Sequence, residues 1–207
     1  MSQVLSGLKG WIAPSRTALL LVDCQVDFAA PEGAMARRGY DITAPMAALH
    51  KAALLANAAR QARVPCLFAR LITRPGDGTP MLREWAGRRG WDPSPCREDS
   101  SGAEFVSVTP LEGEAVFSKR RYNAFVGTNL DVHLRGLGRD TLVIAGLTTE
   151  CCVDSTARDA FERDYHVIIA SDAVAAYEKG LHDWTLKALE LNCAVLATCE
   201  DIAAVWK

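Results

Sequence analysis

Short apolar runs rich in branched side chains alternate along this chain with longer stretches whose hydrophobic positions repeat at helical spacing. TALLLVD (17–23), PCLFARLIT (65–73), EAVFSK (114–119), TLVIAG (141–146), HVIIAS (166–171) and AVLAT (194–198) read as strands. Between them, Thr43 to Arg63 is an Ala-rich helix with Pro45 in its first turn, and NLDVHLRGLG (129–138) is another. Glu150 to Arg163 places Val153, Ala157, Ala160 and Phe161 on one helical face. A helix over 181–192 and a short C-terminal helix complete the pattern.

Strands that are apolar along nearly their whole length are covered on both faces, and their alternation with helices implies parallel pairing. The expected fold is therefore α/β, a doubly wound, mostly parallel six-stranded sheet with helices on both faces, Rossmann-like in architecture. Residues 74–113, with their Pro, Gly and charged clusters, form the main irregular insertion. No repeat, low-complexity tract or linker breaks the pattern, so residues 1–207 read as a single domain.

Composition narrows the class of partner. With 49% hydrophobic residues the chain supports a large core without disulfides or structural metal. A net charge of −2 leaves no electrostatic footprint for nucleic acid or an anionic membrane surface, so small molecules are the expected partners. No apolar run approaches the ~20 residues that span a bilayer. The opening MSQVLSGLKGWIAP lacks the basic region and apolar core of a secretory signal. The cysteines at 24, 66, 96, 151, 152, 193 and 199 form an odd set without C-x-x-C spacing. Several lie in apolar runs, a usage that suits reduced thiols, so the expected location is cytoplasmic.

In a doubly wound sheet, ligands bind beyond the carboxyl ends of the strands. Asp23 ends the first strand, Lys119 ends the third, and Cys152 follows the fourth within TLVIAGLTTECCVDSTARD (141–159). Each has an ordinary structural role open to it. An aspartate caps turns, a lysine in SKRRY is a solvated charge, and a cysteine beside valine is an inert core residue. Yet the two cysteines 151 and 152 stand in the first turn of a helix, where outward N–H groups and the helix dipole favour a thiolate near neutral pH.

Taken together, the three residues compose a nucleophilic hydrolase. The aspartate takes the thiol proton, the lysine holds aspartate and thiolate by charge, and the thiolate attacks an amide-like carbonyl. The protonated aspartate then serves the leaving amine and afterwards activates water. The backbone N–H groups of Thr148 and Cys152 are the candidate oxyanion donors.

Three ordered motifs carry a family resemblance over most of the chain, roughly Thr17 to Asp201. LLVDCQVDF (20–28), VFSKRRYNAFVGTNLD (116–131) and GLTTECCVDSTARDA (146–160) resemble those of the isochorismatase-like cysteine hydrolases. That family includes nicotinamidases, N-carbamoylsarcosine amidase, ureidoacrylate amidase and biuret hydrolase. The resemblance implies a catalytic aspartate at Asp23, a substrate-contacting aromatic at Phe28, the family lysine at Lys119 and the nucleophile at Cys152. The family pattern G-x-x-T-x-x-C-V is matched by Gly146, Thr149, Cys152 and Val153. It leaves Cys151 as a neighbour of the nucleophile. It also implies a cis peptide between Leu147 and Thr148, with Leu147 beside the substrate and the Thr148 N–H in the oxyanion hole.

Departures from the family narrow the chemistry. The Asp-x-His motif of metal-dependent nicotinamidases is absent from RLITRPGDGTP (70–80), and His50, His133, His166 and His182 do not cluster in sequence. No catalytic metal and no other cofactor are expected, which argues against a nicotinamidase-type deamidase. The vinyl-ether-cleaving isochorismatases lack the cysteine, so Cys152 argues against that branch. The resemblance therefore points to the metal-free amidases acting on small amides, carbamoyl or ureido compounds. KRRYNAF is most similar to ureidoacrylate and biuret hydrolases, which implies that Arg121 and Tyr122 shape the pocket; a structural salt bridge is the alternative for Arg121. The insertion, with Trp85, Trp91 and Arg88–Arg89, is expected over the site as lid and oligomer contact, its arginines suited to a substrate carboxylate. The family's assemblies imply a homodimer or homotetramer.

Two readings from other classes are disfavoured. A disulfide between adjacent cysteines is strained, which weakens a redox sensor built on Cys151 and Cys152. DCQVDFAAPEG stands where a dinucleotide-binding domain carries G-x-G-x-x-G after its first strand.

Overall fold

A computed structural model describes residues 2–76, 79–90 and 94–207. The chain opens with helix α1 (Ser2–Trp11) and strand β1 (Thr17–Val22), followed by the short helices α2 (Val26–Ala29) and α3 (Ala34–Arg37). Helix α4 (Thr43–Gln61), strand β2 (Cys66–Leu71), helix α5 (Pro80–Arg88) and strand β3 (Ala115–Lys119) come next. Helix α6 (Leu130–Gly136) leads to strand β4 (Thr141–Leu147), a π-helical turn (Thr149–Val153) and helix α7 (Asp154–Glu162). Strand β5 (His166–Ala175), helix α8 (Lys179–Asn192), strand β6 (Val195–Ala197) and helix α9 (Cys199–Val205) follow.

The six strands form one parallel sheet in the order β3-β2-β1-β4-β5-β6, the doubly wound arrangement expected from the alternation of strand and helix. Successive side chains of a strand point to opposite faces, and the two cores follow that period. Leu19, Leu21, Phe68, Val143 and Ile168 pack beneath α4 and α9 with Leu49, Leu55 and Ile202. Leu20, Val22, Leu67, Phe117, Ile144 and Ile169 face α6, α7 and α8 with Leu130, Leu134, Ala157 and Leu189. Among the described residues no helix is long and apolar enough to cross a membrane.

The architecture departs from the sequence pattern in three places. Helix α1 is missing from that pattern because its two glycines weaken the helical signal; its end is pinned to the core by Leu8, Ile12 and a bond from Trp206 Nε1 to the Ile12 carbonyl (2.9 Å). Strand β5 continues beyond Ser171 to Ala175, with an irregularity against β4 between Ile144 and Gly146. Asp172 makes the run look finished, but its carboxylate is used locally, accepting from the Cys199 N–H (2.7 Å) at the start of α9. The insertion contains α5 and joins the sheet by isolated bridges, Thr73 to Arg97 and Gln25 to Phe105. Trp91 lies outside the described residues.

Gly146 lets β4 and β1 close on each other beneath the candidate site. Its φ is +118°, and a Cβ there would lie 2.0 Å from the Val22 carbonyl oxygen. Gly146→Ala is expected to destabilise the protein by about 3 kcal/mol or more, combining overpacking with a disfavoured backbone conformation. Urea denaturation checks this, and an unchanged midpoint would show that the strands can part without cost.

Candidate active site

The carboxyl ends of β1 and β3 and the turn after β4 meet at one side of the sheet. Asp23 directly follows β1, and its backbone is left-handed, φ +50°. Aspartate tolerates that conformation better than most residues, and the bond from the Asp23 N–H to the Ala69 carbonyl (2.8 Å) holds it. The turn aims the side chain away from the sheet ladder, toward Lys119 and Cys152.

Lys119 is the last residue of β3, on the same face as buried Phe117, while Val116 and Ser118 are exposed. Its side chain is wholly excluded from solvent. The ammonium donates to Asp23 Oδ2 (2.7 Å), to the Arg121 carbonyl (3.1 Å) and to Cys152 Sγ (3.4 Å). Three protons thus meet three acceptors. Burial alone would lower the lysine's pKa, but the Asp23 charge and the Cys152 sulfur outweigh it and raise the pKa.

Cys152 lies in the π-helical turn that precedes α7, a widened turn held by bonds from the Cys151 and Val153 N–H groups to the Thr148 carbonyl (both 3.1 Å). The preceding Leu147–Thr148 peptide is cis. The thiol pKa is pushed well above its ordinary value by the side-chain hydrogen bond with Cys151, by burial and by Asp23, against the pull of Lys119. Cys151, burial and the neighbouring carboxylate thus work against the thiolate that the helix start alone favours. Burial also raises the Asp23 pKa, against the lowering effect of Lys119. Its second oxygen, Oδ1, is buried with no partner among the described residues.

Above these groups lies a cavity of about 370 Å³, lined in part by Asp23, Cys151, Cys152, Leu147 and Thr148. Phe28 and Tyr122 also stand on its wall, with Trp85 and Arg89 from the insertion. Arg88 instead pairs with Glu84 along α5 (2.6 Å). Arg121 is not on the wall: its carbonyl accepts from Lys119, and its guanidinium donates to the Arg120 carbonyl (2.9 Å). The pocket-shaping role expected of its side chain is thus replaced by a main-chain one, since the chain turns immediately after β3. Of the histidines, His182 comes nearest the site, where Nδ1 meets Thr149 Oγ1 at 2.9 Å. His133 and His166 pack on Phe117 and Trp11, and His50 is exposed on α4.

The Isochorismatase domain model matches residues 17–201. The chain belongs to the isochorismatase family. It is 31% identical to the ureidoacrylate amidohydrolase RutB of Methylobacterium radiotolerans, over 86% of this chain and 74% of that one. A cysteine hydrolase from Pseudomonas syringae pv. phaseolicola shares the fold with a TM-score of 0.82 and 25% identity, covering 93% of both chains. The N-carbamoylsarcosine amidase of Thermoplasma acidophilum does so with a TM-score of 0.71 and 28% identity, covering 89% of this chain and 97% of that one.

Several residues around this isochorismatase-family site have partners that the sequence does not announce. Gln25 Nε2 donates to the Leu71 and Ala103 carbonyls (both 2.9 Å), and its Oε1 accepts from the Leu71 N–H (2.8 Å), closing the gap beyond β1 and β2. Asp27 accepts from the Ala34 N–H (2.8 Å) and the Cys96 N–H (2.7 Å), which ties the insertion to the first motif. The second motif is pinned to α7 by Asn123 donating to Asp159 (2.6 Å) and the Ala124 N–H donating to Thr156 Oγ1 (3.0 Å). Glu150 and Tyr177 stand on the cavity wall. All but Tyr177 lie inside the three motifs, but what each of them touches is set only when the chain is folded.

Removing one partner of a buried ion pair strands the other charge, at about 3–5 kcal/mol. Lys119→Met is expected to lose stability on that order, and Lys119→Met combined with Asp23→Asn to recover most of it. Denaturant titration of both single variants and the double variant measures the coupling; additive losses would mean the pair contributes nothing as a pair.

Proposed function

We propose that Cys152, Asp23 and Lys119 together cleave the C–N bond of a small amide, carbamoyl or ureido compound through a covalent thioester-type intermediate. The chain is a hydrolase of carbon–nitrogen bonds other than peptide bonds, as its relatives named amidohydrolases are. The observation that carries the finer reading is the Lys119 ammonium in contact with both Asp23 and the Cys152 sulfur.

The chemistry follows from the protonation states. At rest the thiol is neutral and the carboxylate is paired with the ammonium. As the carbonyl carbon approaches Sγ, the thiol proton passes to Asp23, whose Oδ1 has no other donor among the described residues. Lys119 stays charged and holds the thiolate as it forms. The oxyanion is received by the N–H groups of Thr148 and Cys152. Asp23 then returns its proton to the leaving nitrogen as the C–N bond breaks. A water gives a proton to Asp23 and adds to the thioester, and the thiolate leaves. The proton returns to sulfur and the site is regenerated.

A ureido or carbamoyl substrate is supported by the names of the relatives, ureidoacrylate amidohydrolase and N-carbamoylsarcosine amidase. Phe28 and Tyr122 would flank it, with Trp85 and Arg89 facing them from the insertion.

Ammonia release from a panel of ureides and primary amides tests the reading. Cys152→Ala and Asp23→Asn are each expected to lower turnover about a thousandfold or more. Cys151→Ala is expected to retain most of it, and turnover that depends on Cys151 instead would reassign the nucleophile. The pH profile supplies an independent check. Asp23 must be ionised to take the thiol proton, so kcat/KM is lost as pH falls through its pKa. Burial raises that pKa, so the acid limb is expected above the ordinary carboxylate value of about 4. A limb at or below that value would remove Asp23 as the base.

A further inference from the structure

Among the described residues, three buried side-chain atoms have no hydrogen-bond partner: Asp23 Oδ1, Arg139 Nε and Glu150 Oε2. Two of those three residues line the same cavity. A buried carboxylate oxygen without a donor is costly, and proteins keep few of them. At Asp23 the thiol proton accounts for it. Glu150 takes no part in the reaction described above, so its oxygen calls for another explanation.

Glu150 stands two residues before Cys152 on the same turn. Its Oε1 accepts from Thr148 Oγ1 (3.0 Å), which fixes the carboxyl group and leaves Oε2 over. The neighbouring hydroxyls are already spent. Tyr177 Oη donates to the Phe28 carbonyl (2.8 Å), and Thr149 Oγ1 is bonded to His182. Glu178, on the same wall, adds a second acidic group. Among the described residues Oε2 has no donor, and an N–H of a bound substrate can supply one.

We infer that Glu150 sets substrate specificity by accepting an N–H of the nitrogen that flanks the scissile carbonyl opposite the leaving group. A ureide carries nitrogen on both sides of its carbonyl and satisfies Oε2. A simple amide has carbon at that position and leaves the oxygen unpaired. The assignment rests on the hydrolase reading for the place of the carbonyl, but it is tested by binding alone.

The probes are isosteric pairs that exchange N–H for CH₂: N-carbamoylglycine against succinamate, and N-carbamoyl-β-alanine against glutaramate. Calorimetric titration into the Cys152→Ala protein is expected to show each ureide binding about tenfold or more tightly than its amide partner, the usual effect of a hydrogen bond to a charged group. Adding Glu150→Gln, which keeps the size and the bond to Thr148 but turns an N–H₂ toward the ligand, is expected to bring that ratio close to one. A merely structural role would weaken both members of a pair together and leave the ratio unchanged. Equal affinities with Glu150 in place, a ratio that survives Glu150→Gln, or no binding of any probe would each overturn the assignment. Absence of turnover by the wild-type protein, with the binding preference intact, would sink the hydrolase reading and leave Glu150 standing.

Discussion

The Lys119 ammonium and the Asp23 carboxylate, both shut away from water, hold each other at 2.7 Å, and neither would tolerate its place alone. An unpaired buried charge costs several kcal/mol even after the protein relaxes around it. The surroundings of the pair are therefore constrained to supply what water no longer does. Each lysine proton has an acceptor, and one of these is the Arg121 carbonyl, which the chain presents only by turning at once after β3. That turn is in its own right held to α7 through Asn123 and Ala124. The helix that carries Cys152 on its leading turn is thus the one that braces the lysine's loop.

The aspartate side of the pair is built with the same economy. Asp23 leaves the sheet in a left-handed conformation, and Gln25 replaces the missing ladder with side-chain bonds to Leu71 and Ala103. Asp27 spends both carboxylate oxygens on backbone N–H groups, one of them in the insertion. A Cβ at Gly102 would meet that carboxylate at 2.1 Å, so the insertion packs directly on it. The segment that brings Trp85 and Arg89 to the cavity is anchored by the same motif that carries Asp23. The two carboxylates of that motif stand differently: both oxygens of Asp27 are bonded to backbone N–H groups, while Asp23 keeps one buried oxygen without a partner among the described residues.

Burial also decides the protonation of the site. A cysteine in an exposed first turn would lean toward thiolate, but the Cys152 pKa is raised by a side-chain hydrogen bond with Cys151, by burial and by the Asp23 carboxylate. These effects oppose the thiolate that the helix start favours. Lys119 stands beside both groups, its ammonium 2.7 Å from Asp23 and 3.4 Å from the Cys152 sulfur.

The sequence by itself determined the sheet, because strands buried on both faces must be apolar throughout and their period is local. It also brought Asp23, Lys119 and the turn of Cys151 and Cys152 to one edge, because strand ends on one side of a doubly wound sheet converge whatever the loops do, while the choice of Cys152 rested on the family resemblance of its motif. It did not reveal α1, where two glycines weaken the helical signal of an otherwise amphipathic segment, nor the full length of β5, where Asp172 imitates a strand end. The side-chain role of Arg121, the saturation of Asp27 and the unpaired oxygen of Glu150 were decided only by tertiary structure. The reason is common to all three. A charged side chain has the same sequence signature whether it meets water, a backbone amide or nothing, and only the packing of distant segments says which.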